Sequence, residues 1–171
     1  GRRLMKTAAK HLDRDGVVRA ACGAWCDALE RRILLTLFTP ANAAALTTAL
    51  NDAQLGDTIT LQAGTTYEGG FVLKNKTGGS GWITIQSSNV AALPAPGVRV
   101  GPSDAINMAR LQAPGSNVSA IRTQASAHHF KFVGIEFVGP ANNSSVTAIV
   151  SLGDDTTAQS TYESVPHHII F

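Results

Sequence analysis

The chain has 171 residues, enough for about one domain with a sizeable core, and only 15% of them are charged. Gly is frequent at 16 and Ser, Thr, Asn and Ala are abundant, which suits an all-β protein with many turns and excludes a disordered chain. The formal net charge is +2, and no basic stripe interleaved with aromatics follows the N-terminal segment, so no nucleic-acid partner is expected. No apolar run of about 18 residues occurs, so no transmembrane helix is expected either.

Residues 1–38 read as a basic, export- or targeting-like segment. Arg31 and Arg32 form a positive region, Ile33–Phe38 a short apolar run, and Ala41-Asn42-Ala43 a small-x-small site. Leu29, Glu30, Arg32, Leu34 and Leu35 match the Leu-Glu-x-Arg-x-Leu-Leu element near the N-termini of many large exported bacterial surface proteins. A bacterial secreted or cell-surface location is the expectation. The alternative is a basic amphipathic helix lying on the domain. Both cysteines, Cys22 and Cys26, fall in this segment. They are read as incidental thiols rather than a redox or metal pair.

Residues 39–171 are read as the structured domain. Thr39 and Pro40 open a predicted helix over Pro40–Ala53, whose Leu46, Ala49, Leu50 and Ala53 form one apolar stripe. Gly56 ends it. Thr58–Gln62 then alternates, with Ile59 and Leu61 inward. Phe71–Leu73 and Trp82–Gln86 follow, and Ile83/Ile85 echo Ile59/Leu61 at a shift of 24 (83 − 59), a spacing expected of stacked repeats. Residues 87–118 carry Pro94, Pro96, Gly97, Pro102, Pro114 and Gly115 and are read as a loop insertion. Ser103–Leu111 is expected to be a short helix within it, capped by Ser103 or Asp104.

Ala120–Thr123 is the next short strand. Ala127–Phe137 follows with two alternations, joined at Val133-Gly134, where a bend or bulge is expected. Pro140–Ser145 is a polar turn, Val146–Leu152 alternates again, and Gly153–Ser164 is a polar loop. His167-His168 repeats His128-His129 at 39 residues (167 − 128), each pair leading into an apolar strand. A strand recurring after so long an excursion points to stacked coils. An antiparallel β-sandwich is the alternative, but it predicts short hairpin turns. The chain stops inside an apolar strand at Phe171, so an N-terminal fragment that folds poorly by itself is expected.

Ala49–Leu61, Ala-Leu-Asn-Asp-Ala-Gln-x-Gly-Asp-Thr-Ile-x-Leu, follows a helical cap and precedes Gly64-x-x-Tyr67. With Ala-His-His-Phe-x-Phe-x-Gly-Ile-Glu-Phe further on, this resembles the pectate-lyase-like, right-handed parallel β-helix proteins, especially exported bacterial members. The resemblance implies three parallel sheets along a coil axis, a helix over the N-terminal end and a substrate groove on one sheet. Many members are polysaccharide lyases or glycoside hydrolases; others are adhesins.

The chemistry such enzymes need is not assembled in this sequence. A uronate lyase needs Ca²⁺ or another cation for the sugar carboxylate and a base for the carbon-bound proton. A hydrolase needs two or three carboxylates across a groove. Asp154-Asp155 is a weak metal candidate, because adjacent residues on an extended chain point apart. Lys131, Glu136 and Arg122 are candidate polysaccharide-binding residues, weighed against ordinary surface charge. The histidine pairs would stack about 4.8 Å apart in successive coils, as a structural ladder in preference to a metal site. No cofactor is evident, and Ca²⁺ is expected only in coils beyond Phe171. The reading is therefore an exported carbohydrate-active β-helix protein, lyase-like or polysaccharide-binding. The alternative is a non-catalytic surface or adhesin-type solenoid.

Overall fold

A computed structural model describes residues 35–141, 144–153 and 156–171. In chain order the elements begin with β1 (Leu37–Phe38), α1 (Ala43–Asp52), β2 (Thr58–Leu61), β3 (Thr66–Glu68), β4 (Phe71–Leu73) and β5 (Ile83–Ser87). They continue with β6 (Ala109–Gln112), β7 (Ile121–Thr123), β8 (His128–Val133), β9 (Ile135–Val138), β10 (Val150–Ser151) and β11 (His167–Ile170). These strands form three sheets: a first of order β1-β2-β5-β8-β11, a second of β3-β6-β9 and a third of β10-β7-β4. Every strand pairing within them is parallel.

From β2 onward the chain visits first, second and third sheet in fixed rotation. Each return adds a strand beside the previous one, so neighbours in a sheet are separated by a full circuit. The antiparallel sandwich is thereby overturned. Inward side chains stack from circuit to circuit. Ile59, Ile85 and Phe132 form one column of the first sheet, and Ile83, Phe130 and Ile169 another. Tyr67, Leu111 and Phe137 line the second sheet, and Phe71, Ile121 and Val150 the third. Most of these side chains are fully buried and belong to one core cluster. Burying a large aliphatic or aromatic side chain is worth about 1.5–3 kcal/mol, so the columns dominate stability.

The register of the first pair differs from the expected one. Ile59 faces Ile85 rather than Ile83, an offset of 26 (85 − 59), and Leu61 faces Ser87. A two-residue slip keeps every side chain on its face, so periodicity alone cannot distinguish the two registers. Buried Ser87 is tolerated in the column because its hydroxyl donates to the Asn107 carbonyl at 2.6 Å. The histidine offset of 39 is the observed register, with His167 facing His128 and Ile169 facing Phe130.

Three other expectations change. α1 starts at Ala43, not Pro40, because the Asn42 side chain accepts from Ala45 N–H at 2.9 Å and caps it. The Pro40 carbonyl, outside the helix, accepts from the buried Tyr67 hydroxyl at 3.0 Å. The segment read as an insertion contains β6. The expected Ser103–Leu111 helix is a 3₁₀ turn over Pro102–Asn107, and buried Ala109 and Leu111 continue the second sheet. Of Val146–Leu152, only Val150–Ser151 is strand, and Leu152 is exposed.

Gly134, where a bulge was expected, is the corner between β8 on the first sheet and β9 on the second. Its φ is +65°, and a Cβ there would lie 2.6 Å from Leu93 Cδ1. At the other end, Leu46, Ala49 and Leu50 of α1 join the core cluster beside β3 and β4. The helix therefore closes that end of the column stack.

Leu35–Phe171 form one compact unit. Within it β1 pairs with β2, and Thr36 N–H donates to Asp57 Oδ1 at 2.7 Å. Buried Asp57 also accepts from Gln54 N–H at 2.8 Å, tying β1 to the end of α1. Cys22, Cys26 and the Leu29–Leu34 part of the export-like motif lie outside the described residues.

Candidate functional site

The three charged residues singled out in the sequence stand on three different sheets. Lys131 is on the outer face of the first, between Thr84 and Ile170. Glu136 is on the second, where it accepts from Arg110 Nε at 2.6 Å across one circuit. Such exposed pairs are worth about 0–1 kcal/mol, and this one satisfies Glu136 structurally. Arg122 is on the third, between Val72 and Ser151. No single groove collects them. Asp154 and Asp155 lie outside the described residues.

Arg122 lies in a cleft of about 520 Å³ on the outside of the third sheet, with Gly70, Val72, Asn117, Thr147 and Ser151 among its walls. Asn117 shapes one wall: its Oδ1 accepts from Thr147 N–H at 2.8 Å and from the Thr147 hydroxyl at 2.6 Å. Among the described residues Arg122 forms no ion pair. The described lining residues include no other titratable group. A guanidinium without an ion pair among the described residues is suited to a carboxylate, which it can take bidentately.

A second cluster was only half visible in the sequence. His128 and His129 at the start of β8 lie beneath His167 and His168 at the start of β11. His129 and His168 stack with centroids 4.7 Å apart and planes 9° apart; His128 and His167 stack at 5.3 Å and 26°. Trp82 extends the His129 column, 5.1 Å from its ring. The repetition extends to the backbone, with His129 at φ +58° and His168 at φ +52°. Rings stacked face to face project their in-plane lone pairs side by side, so they do not converge on one metal. Among the described residues no three His, Cys, Asp or Glu side chains make a metal-holding group.

His128 Nδ1 and His129 Nδ1 are 2.8 Å apart, so one donates and the other accepts. The His167 Nδ1–H donates to the Val165 carbonyl at 3.0 Å, which assigns its proton. Burial, then the imidazoles of His129, His167 and His168, hold His128 below the ordinary histidine range. Burial, then His168 and His167, do the same for His129. A depressed folded-state value means that the unfolded chain binds these protons more readily, so stability is full above about pH 6.5 and falls as pH drops below it. The thermal midpoint should therefore be level from pH 7 to 8 and decline towards pH 5. His128→Gln with His129→Gln should flatten the decline, and a level wild-type profile over this window would contradict the assignment.

His128 and His167 border a cleft of about 630 Å³, lined also by Lys76, Ser126, Tyr162 and Glu163. Lys76 is 6% exposed and its Nζ donates to the Asn51 carbonyl at 2.5 Å. Burial, then Lys74, lowers its pKa, partly countered by Asp52 and Asp57. The sequence carried no signal for Lys76 or Tyr162, because only the circuit brings residues 76, 128 and 162 together.

No family model matches the chain, and no curated protein matches it. Among solved structures, an alginate lyase from Paenibacillus sp. str. FPU-7 superposes with a TM-score of 0.50 at 20% identity, covering 78% of this chain. The match covers 34% of that lyase, so the chain spans about a third of its length. At this identity the likeness is one of fold: a mostly β architecture with parallel sheets.

Proposed function

We propose that the chain is part of an exported right-handed parallel β-helix protein that binds an acidic polysaccharide along its third sheet. The rotation through three parallel sheets supports the helix, and the near-universal right hand of parallel crossovers supports its sense. The observation carrying the binding role is Arg122, a cation with no ion pair among the described residues, in a cleft with no carboxylate in its described lining. That chemistry selects a uronate over a neutral hexose. The fold likeness to an alginate lyase supports the same substrate class. Among the described lining residues Arg122 is the one titratable group, which supports a binding subsite of a lyase-like solenoid.

Affinity electrophoresis of the 171-residue chain tests this. Alginate or polygalacturonate in the gel should retard the protein, and a neutral glucan should not. Arg122→Ala should weaken the retardation by about tenfold or more, the loss of a charge-assisted hydrogen bond of about 1.5–3 kcal/mol. Equal retardation by the neutral glucan, or an unaffected Arg122→Ala protein, would sink the proposal. Unsaturated-uronate absorbance developing in the incubation would identify a lyase. Binding without it would favour the adhesin-type reading.

A further inference from the structure

We propose that the cleft between the starts of β8 and β11 is a second acidic-sugar site, which takes a sugar carboxylate when the histidine stack is protonated. It is separate from the Arg122 cleft and does not depend on that reading.

Four imidazoles occupy two adjacent circuits with ring centroids 4.7–6.4 Å apart. Each proton added to the stack brings a positive charge next to three other rings that compete for the same change. An anion placed in the adjoining cleft offsets that repulsion, so anion binding and proton uptake reinforce each other. The cleft is equipped for an anion by His128, His167 and Lys76, with the Tyr162 hydroxyl beside them.

The charged and titratable groups around it are few among the described residues. His129 and His168 belong to the stack, and Lys74, Asp52 and Asp57 act on Lys76. Glu163 is the one carboxylate in the lining. A ligand carboxylate must therefore bind on the imidazole side of the cleft, away from Glu163.

Tyr162 makes the ligand a sugar rather than a bare anion. It is 83% exposed at the cleft, presenting an apolar ring face with a hydroxyl at its edge. The apolar face of a pyranose can lie on such a ring while its carboxylate reaches the imidazoles. The segment carrying Tyr162 is held in place. The Ser126 hydroxyl donates to the Glu163 carbonyl at 3.0 Å, and Ser126 N–H donates to the Ser164 carbonyl at 2.8 Å. The wall is thus preformed, with both bonds running to the turn just before β8.

The test is a titration of the whole 171-residue chain with D-glucuronate, followed by the histidine Cε1–H resonances. Sodium sulfate and methyl glucoside serve as the other two probes. At pH 5.5 glucuronate should shift the His128 and His167 signals, and at pH 8 it should not. The affinity should change by about tenfold per pH unit for each proton taken up. His128→Gln with His167→Gln should abolish the response. Tyr162→Ala, at an exposed position that leaves folding intact, should weaken glucuronate and leave sulfate unchanged. Arg122→Ala should leave the glucuronate response intact even where it abolishes polymer retardation, so the two sites can fail separately. Equal responses at both pH values, equal shifts by methyl glucoside, or a Tyr162→Ala protein that binds glucuronate normally would each overturn the proposal.

Discussion

Phe130→Ala is expected to cost about 3–5 kcal/mol, a large part of the roughly 5–15 kcal/mol that holds a domain folded. Phe130 is 1% exposed. It lies in the first sheet between Ile83 of the preceding circuit and Ile169 of the following one. Those neighbours are fixed by their own backbone ladders, so they cannot move in to fill the space. The cavity term then adds to the lost transfer free energy. Denaturant unfolding monitored by far-ultraviolet circular dichroism measures the change. A loss below about 1 kcal/mol would show that the columns can collapse around a void, contrary to close packing. Phe130→Leu, which retains most of the volume, should cost clearly less.

Gly79→Ala should be nearly as damaging, for a different reason. Gly79 has φ +83°, and a Cβ there would lie 2.1 Å from the Leu55 carbonyl oxygen and 3.0 Å from its carbonyl carbon. Leu55 and Gly79 are bridged in parallel, so the obstacle is backbone held by its own hydrogen bonds. No rotamer relieves the clash. Gly97 supplies the control: its φ is +89°, and nothing lies within 4 Å of the added Cβ. Gly97→Ala should cost only the conformational term, of order 1 kcal/mol. Gly79→Ala should exceed it severalfold, and equal thermal midpoints for the two variants would refute the steric account. Leu55 also lines the histidine cleft, so Gly79→Ala should disturb glucuronate binding where Gly97→Ala does not.

Sequence reasoning succeeded where the signal is local. Ile59, Leu61, Ile83 and Ile85 face inward because side chains alternate along an extended strand, and their burial follows. Leu46, Ala49 and Leu50 share a helical face for the same kind of reason. It failed where the element is too short to carry a period. β3 has three residues and β10 two, and β6 follows a run of Pro and Gly that reads as loop. Charge was legible as residue type but not as partnership. Glu136 looked free until the circuit placed Arg110 beside it, and Arg110 drew no notice in the sequence.

Which faces are apolar, that the strands recur at long intervals, and that the two histidine pairs occupy equivalent positions can all be read from the residues alone. Each of these follows from local covalent geometry or from repetition. The tertiary structure decided the two-residue register of β2 on β5, the separation of Lys131, Glu136 and Arg122 onto three sheets, and the meeting of Lys76, His128 and Tyr162 at one cleft. The reason is that residues 26–50 apart become neighbours only when a full circuit closes, and the length of each circuit is set by its corners and loops.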